Sequence, residues 1–254
     1  MQLIQKHKSF LLILFALVLI HLLHGLILWP TMQLGLSNEK VDIISLITIP
    51  IVTLIGIAYL LKQFGIHLNF SFKKVNPILI FYVLLLAVFC IIFQSALDIP
   101  FIIELLQSKL RFFAFTNPFQ YGLHSIVYLF GAVIVAPITE EILYRKIIFI
   151  KLKEQYGLAF ALVVSSFLFA LIHWNLEGLL AYFASGLLLA YLYHITKVLW
   201  LNILLHGSYN FLAMITTIEM FDSSHRMFVI ILLLYLISAA GIYMILKEVK
   251  TLTN

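Results

Sequence analysis

Residues Pro77–Ala96 read PILIFYVLLLAVFCIIFQSA, a run of 20 residues that contains no charged side chain. About 20 apolar residues in a helix are enough to cross the hydrocarbon core of a bilayer. The whole chain shares this character, since 63% of its 254 residues are hydrophobic and 11% are charged, whereas soluble domains are about half apolar and about a quarter charged. The composition therefore predicts a membrane-embedded protein and argues against a soluble enzyme, a disordered chain or a disulfide-stabilised secreted domain.

Apolar segments of this kind recur along the whole chain. The first is interpreted as a retained helix rather than a signal peptide, because no small-residue cleavage pattern follows it. We therefore predict an all-α, polytopic integral membrane protein with about eight transmembrane helices, or seven if one segment is re-entrant. The eight segments are Phe10–Trp29, Ile43–Leu61, Pro77–Ala96, Gly122–Ile138, Leu158–His173, Leu179–Ile195, Leu199–Ile218 and Met227–Leu246.

The positive charges predict how the helices are oriented. With the N-terminus in the cytoplasm, 12 of the 16 Lys and Arg residues fall in cytoplasmic segments and 4 fall outside. This distribution follows the positive-inside rule and predicts that both termini are cytoplasmic. Topology thus accounts for the net charge of +5, and no nucleic-acid partner is expected.

Three groups of polar residues interrupt the apolar second half of the chain. They are PITEEILYR at Pro137–Arg145, FALIH at Phe169–His173 and HGSYN at His206–Asn210. An ionisable side chain at membrane depth costs roughly 2.5–3.5 kcal/mol on insertion scales, so such residues are candidates for function. We therefore expect the functional site to be built from these three groups.

The spacing within each group predicts which side chains share a helix face. Glu141 and Arg145 are four residues apart, which favours an ion pair. Glu140 points about 100° away from Glu141 and is predicted to serve another partner. His206 and Asn210 are also four residues apart and are expected to project from one face of their helix.

The first two groups belong to a predicted helical hairpin whose turn lies near Gly157. Glu140 is 17 residues before this glycine and His173 is 16 residues after it, so helical arms would bring both side chains to the same level. His206 is expected about 13 Å from the cytoplasmic end of its own helix. We therefore predict that the three groups meet in the inner half of the bilayer.

Together, the three groups resemble the motifs of the CPBP intramembrane proteases, which comprise the CAAX prenyl endopeptidases and the bacteriocin-processing and immunity proteins of the Abi family. The resemblance covers residues 122–218, with order and spacing intact. One departure is Lys146, where many members carry Gly, and it bears on helix packing rather than on the chemistry. The matching residues are Glu140-Glu141-x-x-x-Arg145, Phe169-x-x-x-His173 and His206-x-x-x-Asn210.

The resemblance implies an intramembrane endopeptidase and a role for each residue. Glu140 and His173 would activate the nucleophilic water, while His206 and Asn210 would stabilise the oxyanion. The Glu141–Arg145 pair would support and orient the site. The alternative interpretation of the Glu141–Arg145 pair is a purely structural ion pair. Without the other motifs, His206 and Asn210 would be interpreted as interhelical hydrogen-bond partners.

A metal site is the competing interpretation of the same residues. Glu140, His173 and His206 form a set of ligands that Zn²⁺ accepts, with water in the fourth position. However, the helical His-Glu-x-x-His pattern of many zinc proteases is absent, and the resemblance also supports a metal-free, glutamate-dependent mechanism. We therefore expect no cofactor and keep Zn²⁺ as the alternative.

The predicted organisation has three parts. Residues 1–121 hold N-terminal transmembrane helices and an interfacial loop, residues 122–218 form the catalytic core, and residues 219–254 form a C-terminal transmembrane helix. Within the loop, the spacing of apolar residues in Ile99–Leu106 suits a short amphipathic helix at the membrane surface.

The expected substrate is a peptide precursor or a membrane-associated protein, reached within the lipid bilayer. Many Lys, Ile and Phe residues beside few Arg indicate an AT-rich bacterial genome, and bacteria generally lack prenylated CAAX proteins. A bacteriocin, leader or signalling-peptide precursor in a bacterial cell membrane is therefore favoured. The sequence does not specify the oligomeric state.

Two other functions remain open from the sequence alone. A non-catalytic bacteriocin-immunity or scaffold protein could use the same fold to bind a peptide or a partner. An ion-coupled transporter would also need buried Glu and His residues, although the sequence shows no inverted halves.

Overall fold

The computed structural model describes residues 2–66, 75–95, 97, 109–115, 123–222 and 225–253. The predicted interfacial helix at Ile99–Leu106 lies outside these residues. The helices are α1 (Gln2–Gln33), α2 (Asn38–Phe64), α3 (Pro77–Ser95), α4 (Leu123–Phe130), α5 (Ala136–Glu141), α6 (Ile150–Tyr156), α7 (Leu158–Leu171), α8 (Leu179–Thr196), α9 (Leu199–Ile215) and α10 (His225–Thr253).

The all-α, polytopic membrane fold is confirmed. In the described residues, six helical stretches are long and apolar enough to cross a membrane by length and composition. Two further apolar helices, α7 and α9, are shorter, with 14 and 17 residues. Each of these eight overlaps one of the eight predicted segments, although the fourth continues to Tyr156 and the eighth to Thr253. The six longer stretches are His7–Thr31, Ile43–Phe64, Pro77–Ser95, Ile126–Tyr156, Leu179–Thr196 and Leu232–Thr253.

A two-stranded antiparallel ribbon was not predicted from the sequence. Strand β1 (Lys109–Phe115) pairs with β2 (Thr216–Asp222), with Lys109 opposite Asp222 and Phe115 opposite Thr216. As a result α9 ends at Ile215, three residues before the predicted end of its segment. The strands read KLRFFAF and TTIEMFD, and such aromatic and β-branched residues favour extended backbone.

Residues 123–156 are helical throughout, although the turns are not uniform. Two wider, π-helical stretches, Gly131–Val135 and Ile142–Phe149, separate α4, α5 and α6. The helix then ends at Gly157, whose φ of 87° is left-handed and suits glycine. The break falls at the predicted residue, and the packing of the two arms as a hairpin stays a prediction. Stretches of π-helix are rare in proteins, and those that occur are often found at functional sites. The two stretches here flank the helix that carries Glu140.

The described residues fall into two compact units. The first unit is Met1–Ser71 with Pro118–Ala161, and in it α1 packs against α2. Gly56 of α2 lies directly against the side chain of Ile20 in α1, so a Cβ at position 56 would overlap it. The π-helical stretch that follows Glu141 also packs against α2.

The second unit is Phe72–Asn117 with Leu162–Asn254. Its apolar core is formed by α3, α8, α9 and α10. Gly186 allows α8 to approach α7 closely, because a Cβ at this position would lie 2.9 Å from the Cα of Ser166. This unit positions the two histidines of the predicted site. The division into residues 1–121, 122–218 and 219–254 stays a prediction.

Candidate active site

The residues predicted for the site belong to both units. Glu140, Glu141 and Arg145 lie in the first unit, whereas His173 and the His206–Asn210 turn lie in the second. Each group is described within its own unit. The meeting of all three groups at one level therefore stays a prediction.

Glu141 and Arg145 form the ion pair that their spacing predicts. Nε of Arg145 lies 3.0 Å from Oε2 of Glu141, and both side chains have no exposed surface. Removing one partner of such a pair typically costs about 3–5 kcal/mol, because the other charge stays buried. The pair thus holds the end of α5 and the first turn of the π-helical stretch Ile142–Phe149 in a defined geometry.

Glu140 occupies the last turn of α5 and is half-buried. Tyr144 follows it by four residues, and its side chain is fully buried. The Glu140 carboxylate lies close enough to act electrostatically on the Tyr144 phenol. Our sequence analysis did not single out Tyr144, although its spacing from Glu140 was a sufficient signal.

His173 lies just beyond the end of α7, which stops at Leu171. The next residue, Trp174, has a φ of 49°, which ends the helix with a left-handed turn. Nδ1 of His173 donates a hydrogen bond to the carbonyl oxygen of Phe169 at 2.9 Å. Because a carbonyl can only accept, the neutral imidazole carries its lone pair on Nε2. His173 is thereby prepared to accept a proton or a hydrogen bond at Nε2.

Aromatic rings pack around both histidines. The Tyr182 ring is stacked on His173, with centroids 4.0 Å apart and an angle of 16° between the planes. Phe169 contacts both histidines edge-on, with centroid distances of 4.9 Å to His173 and 5.7 Å to His206. The ring of Phe169, the first residue of the second motif, therefore contacts both imidazoles.

One cavity of the second unit brings three of the predicted residues together. His173, His206 and Asn210 all line it, and its volume is about 30 Å³. A space of this size has room for at least one water molecule. Gln94 of α3 and Tyr182 of α8 line the same cavity, and our sequence analysis identified neither of them. The structure thus places both predicted oxyanion donors beside one of the two predicted water-activating residues.

Asn202 anchors the helix that carries His206 and Asn210. Its side chain is fully buried, and Nδ2 donates a hydrogen bond of 2.6 Å to the carbonyl oxygen of Leu189 in α8. Asn202 is four residues before His206, so three polar residues follow one face of α9. This extension of the stripe was visible in the sequence but was not used.

The zinc alternative stays a prediction. Glu140 lies in the first unit, whereas His173 and His206 lie in the second, and each unit is described by itself. We therefore derive no chemical step from a metal.

The fold and the cavity define a polytopic helical membrane protein with a buried, histidine-containing site. Residues 122–212 match the family model described as "Type II CAAX prenyl endopeptidase Rce1-like". The chain is also 43% identical over 86 residues to "Putative membrane peptidase YdiL" of Bacillus subtilis (strain 168), a match that spans 34% of this chain and 35% of that protein. No solved structure gives a significant match. The resemblance to the CPBP intramembrane proteases is thereby confirmed for this region.

Proposed function

We propose that the protein is an intramembrane endopeptidase that cleaves a peptide precursor or a membrane-associated protein. The observation that carries the proposal is the cavity shared by His173, His206 and Asn210. The match of residues 122–212 to CAAX prenyl endopeptidases supports the reaction type. The name of the Bacillus subtilis relative points the same way.

In the proposed mechanism, Glu140 and His173 hold the nucleophilic water. One of them takes a proton from it as the oxygen attacks the carbonyl carbon of the scissile peptide bond. The same proton then passes to the nitrogen of the leaving amine, the C–N bond breaks, and a carboxylic acid and an amine result. The hydrogen bond from His173 to Phe169 supports this role because it leaves the imidazole lone pair on Nε2.

His206 and Asn210 provide the proposed oxyanion site. Both can donate a hydrogen bond to the oxygen that becomes negative in the tetrahedral intermediate. His206 is buried, and an electrostatic interaction is stronger in a site that excludes water. Removal of one such donor typically lowers kcat by about 10²–10³-fold. The Glu141–Arg145 ion pair would keep α5 in place.

The short helix α7 supports a site below the membrane surface. Its 14 residues extend over about 21 Å, whereas the hydrocarbon core of a bilayer is about 30 Å thick. If one end of α7 lies at the cytoplasmic surface, His173 at its other end lies within the membrane. Irregular backbone such as the turn after Leu171 is tolerated there only beside protein or a water-filled cavity.

The proposed substrate is a bacteriocin, leader or signalling-peptide precursor. We place the protein in a bacterial cell membrane with both termini in the cytoplasm, and we propose a metal-free reaction without a cofactor. The bilayer and the substrate are its proposed partners. The bacterial setting rests on the Lys-rich composition, and the cytoplasmic termini rest on the positive-inside distribution of charge.

The decisive experiment is complementation of a deletion strain. Wild type, Glu140→Gln and His206→Ala are expressed at matched membrane levels, and processing of the precursor peptide is followed by mass spectrometry. Glu154→Gln is the matched control, because Glu154 is an exposed carboxylate pairing with Lys151 at 3.4 Å. We expect cut product only with wild type and the control.

The same experiment separates the protease from an immunity or scaffold protein. A non-catalytic protein would give equal protection or signalling with wild type and all three variants, and no cut product. Repeating the assay on purified protein with a chelator, and then with added Zn²⁺, tests the metal-free mechanism. Activity lost to the chelator and restored by Zn²⁺ would contradict it.

A further inference from the structure

Two neighbours of Tyr182, His173 and Gly178, restrict the position of its ring. The phenol ring is stacked on His173 on one side, with centroids 4.0 Å apart. Close by lies Gly178, where a Cβ would come within 2.9 Å of Cε2 of the ring. The ring is therefore stacked on the imidazole and lies next to the glycine of the α7–α8 loop, with no room for a Cβ between the glycine and the ring.

Gly178 is itself held in place by the loop. Its backbone N–H donates a hydrogen bond of 3.0 Å to Oδ1 of Asn175. Its φ of −88° is accessible to any residue. The backbone conformation at position 178 therefore does not require glycine. The Tyr182 ring, however, occupies the space that a Cβ at this position would need.

Two independent contacts then determine the orientation of His173. The hydrogen bond from Nδ1 to Phe169 directs one edge of the imidazole, and the stacked Tyr182 ring sets the plane. The orientation of a histidine side chain depends on two torsion angles, so two contacts are needed to fix it. Together they determine the direction in which the Nε2 lone pair points.

We infer that Tyr182 is a positioning residue, whose ring orients His173 toward the water in the proposed hydrolysis. This inference rests on the proposed function, but the orientation of His173 can be measured separately. The ring and not the hydroxyl performs this role. A displacement of about 1 Å in a catalytic group can cost about 100-fold in rate.

Three variants test this inference through kinetics. Tyr182→Phe keeps the ring and should retain kcat within about 2-fold, whereas Tyr182→Leu should lower kcat by about 10- to 100-fold with KM nearly unchanged. Gly178→Ala should also lower kcat, because the new Cβ would lie 2.9 Å from Cε2 of Tyr182 and displace the ring. A structural role alone would lower the amount of folded protein and leave the kcat of the remainder unchanged.

A chemical readout distinguishes failure of this inference from failure of the proposed function. Diethyl pyrocarbonate modifies imidazole nitrogens, and the modified histidines are located by mass spectrometry. Modification of His173 should be faster in Tyr182→Leu and Gly178→Ala than in wild type and Tyr182→Phe, with the rate at His194 as the internal reference. Equal rates at His173 in all four proteins would overturn the inference, even if wild type cleaves its substrate. If His173 is modified faster in Tyr182→Leu and Gly178→Ala but wild type shows no proteolysis, the proposed protease function is refuted. The inference that Tyr182 orients His173 is then retained.

Discussion

The buried Glu141–Arg145 ion pair leads to a quantitative prediction. Both side chains have no exposed surface and their charged atoms are 3.0 Å apart. Arg145→Leu removes the cation from beside a buried carboxylate and should lower the free energy of unfolding by about 3–5 kcal/mol. Replacing both residues in Glu141→Leu/Arg145→Leu removes both charges, and the double variant should unfold within about 1 kcal/mol of wild type or be more stable.

The free energy of unfolding is measured for purified protein by titrating SDS into detergent micelles and following tryptophan fluorescence. The double-mutant cycle gives the coupling between the two positions. A double variant as unstable as Arg145→Leu would refute the reasoning, because the loss would then come from packing and not from an isolated charge. If the pair also orients the proposed site, the stable double variant should still cleave more slowly than wild type.

Two further predictions concern helix packing in the second unit. Gly186→Ala should destabilise the protein, because the new Cβ would lie 2.9 Å from the Cα of Ser166. Gly25→Ala is the control, since no atom lies within 4 Å of a Cβ at that position. The control should be stabilised by up to about 1 kcal/mol through the higher helix propensity of alanine. An equal effect of both substitutions in the SDS titration would argue against close packing at Gly186. Asn202→Leu removes the hydrogen bond to Leu189 and should cost about 0.6–1.7 kcal/mol, with a lower kcat because α9 shifts. If Asn202→Leu lowers the free energy of unfolding but leaves kcat unchanged, Asn202 supports only the fold.

Much of the local structure was predictable from the sequence. The apolar runs predict the helices because a membrane span needs a fixed length of apolar residues. The four-residue spacing of Glu141 and Arg145 predicts their ion pair, since helix geometry alone brings such residues together. Gly157 predicts the end of the preceding helix for a similar reason, because glycine readily adopts the left-handed φ found there.

The two strands, β1 and β2, were not predicted from the sequence. The sequence of β2 has residues that favour a strand, but it continues an apolar run that also suits a helix. Its partner β1 lies more than 100 residues earlier in the chain. Pairing between such distant segments leaves no periodic signal in either one, so the helix was predicted to run to Ile218.

The sequence by itself determined the helices, their polar residues and the side chains that share a helix face. Only the tertiary structure placed Tyr182 on His173, Phe169 against both histidines, and Asn202 against the backbone of α8. Helical periodicity specifies which residues share a face, because that depends on 3.6 residues per turn. It does not specify which face of another helix lies opposite, because that depends on how the side chains of both helices fit together.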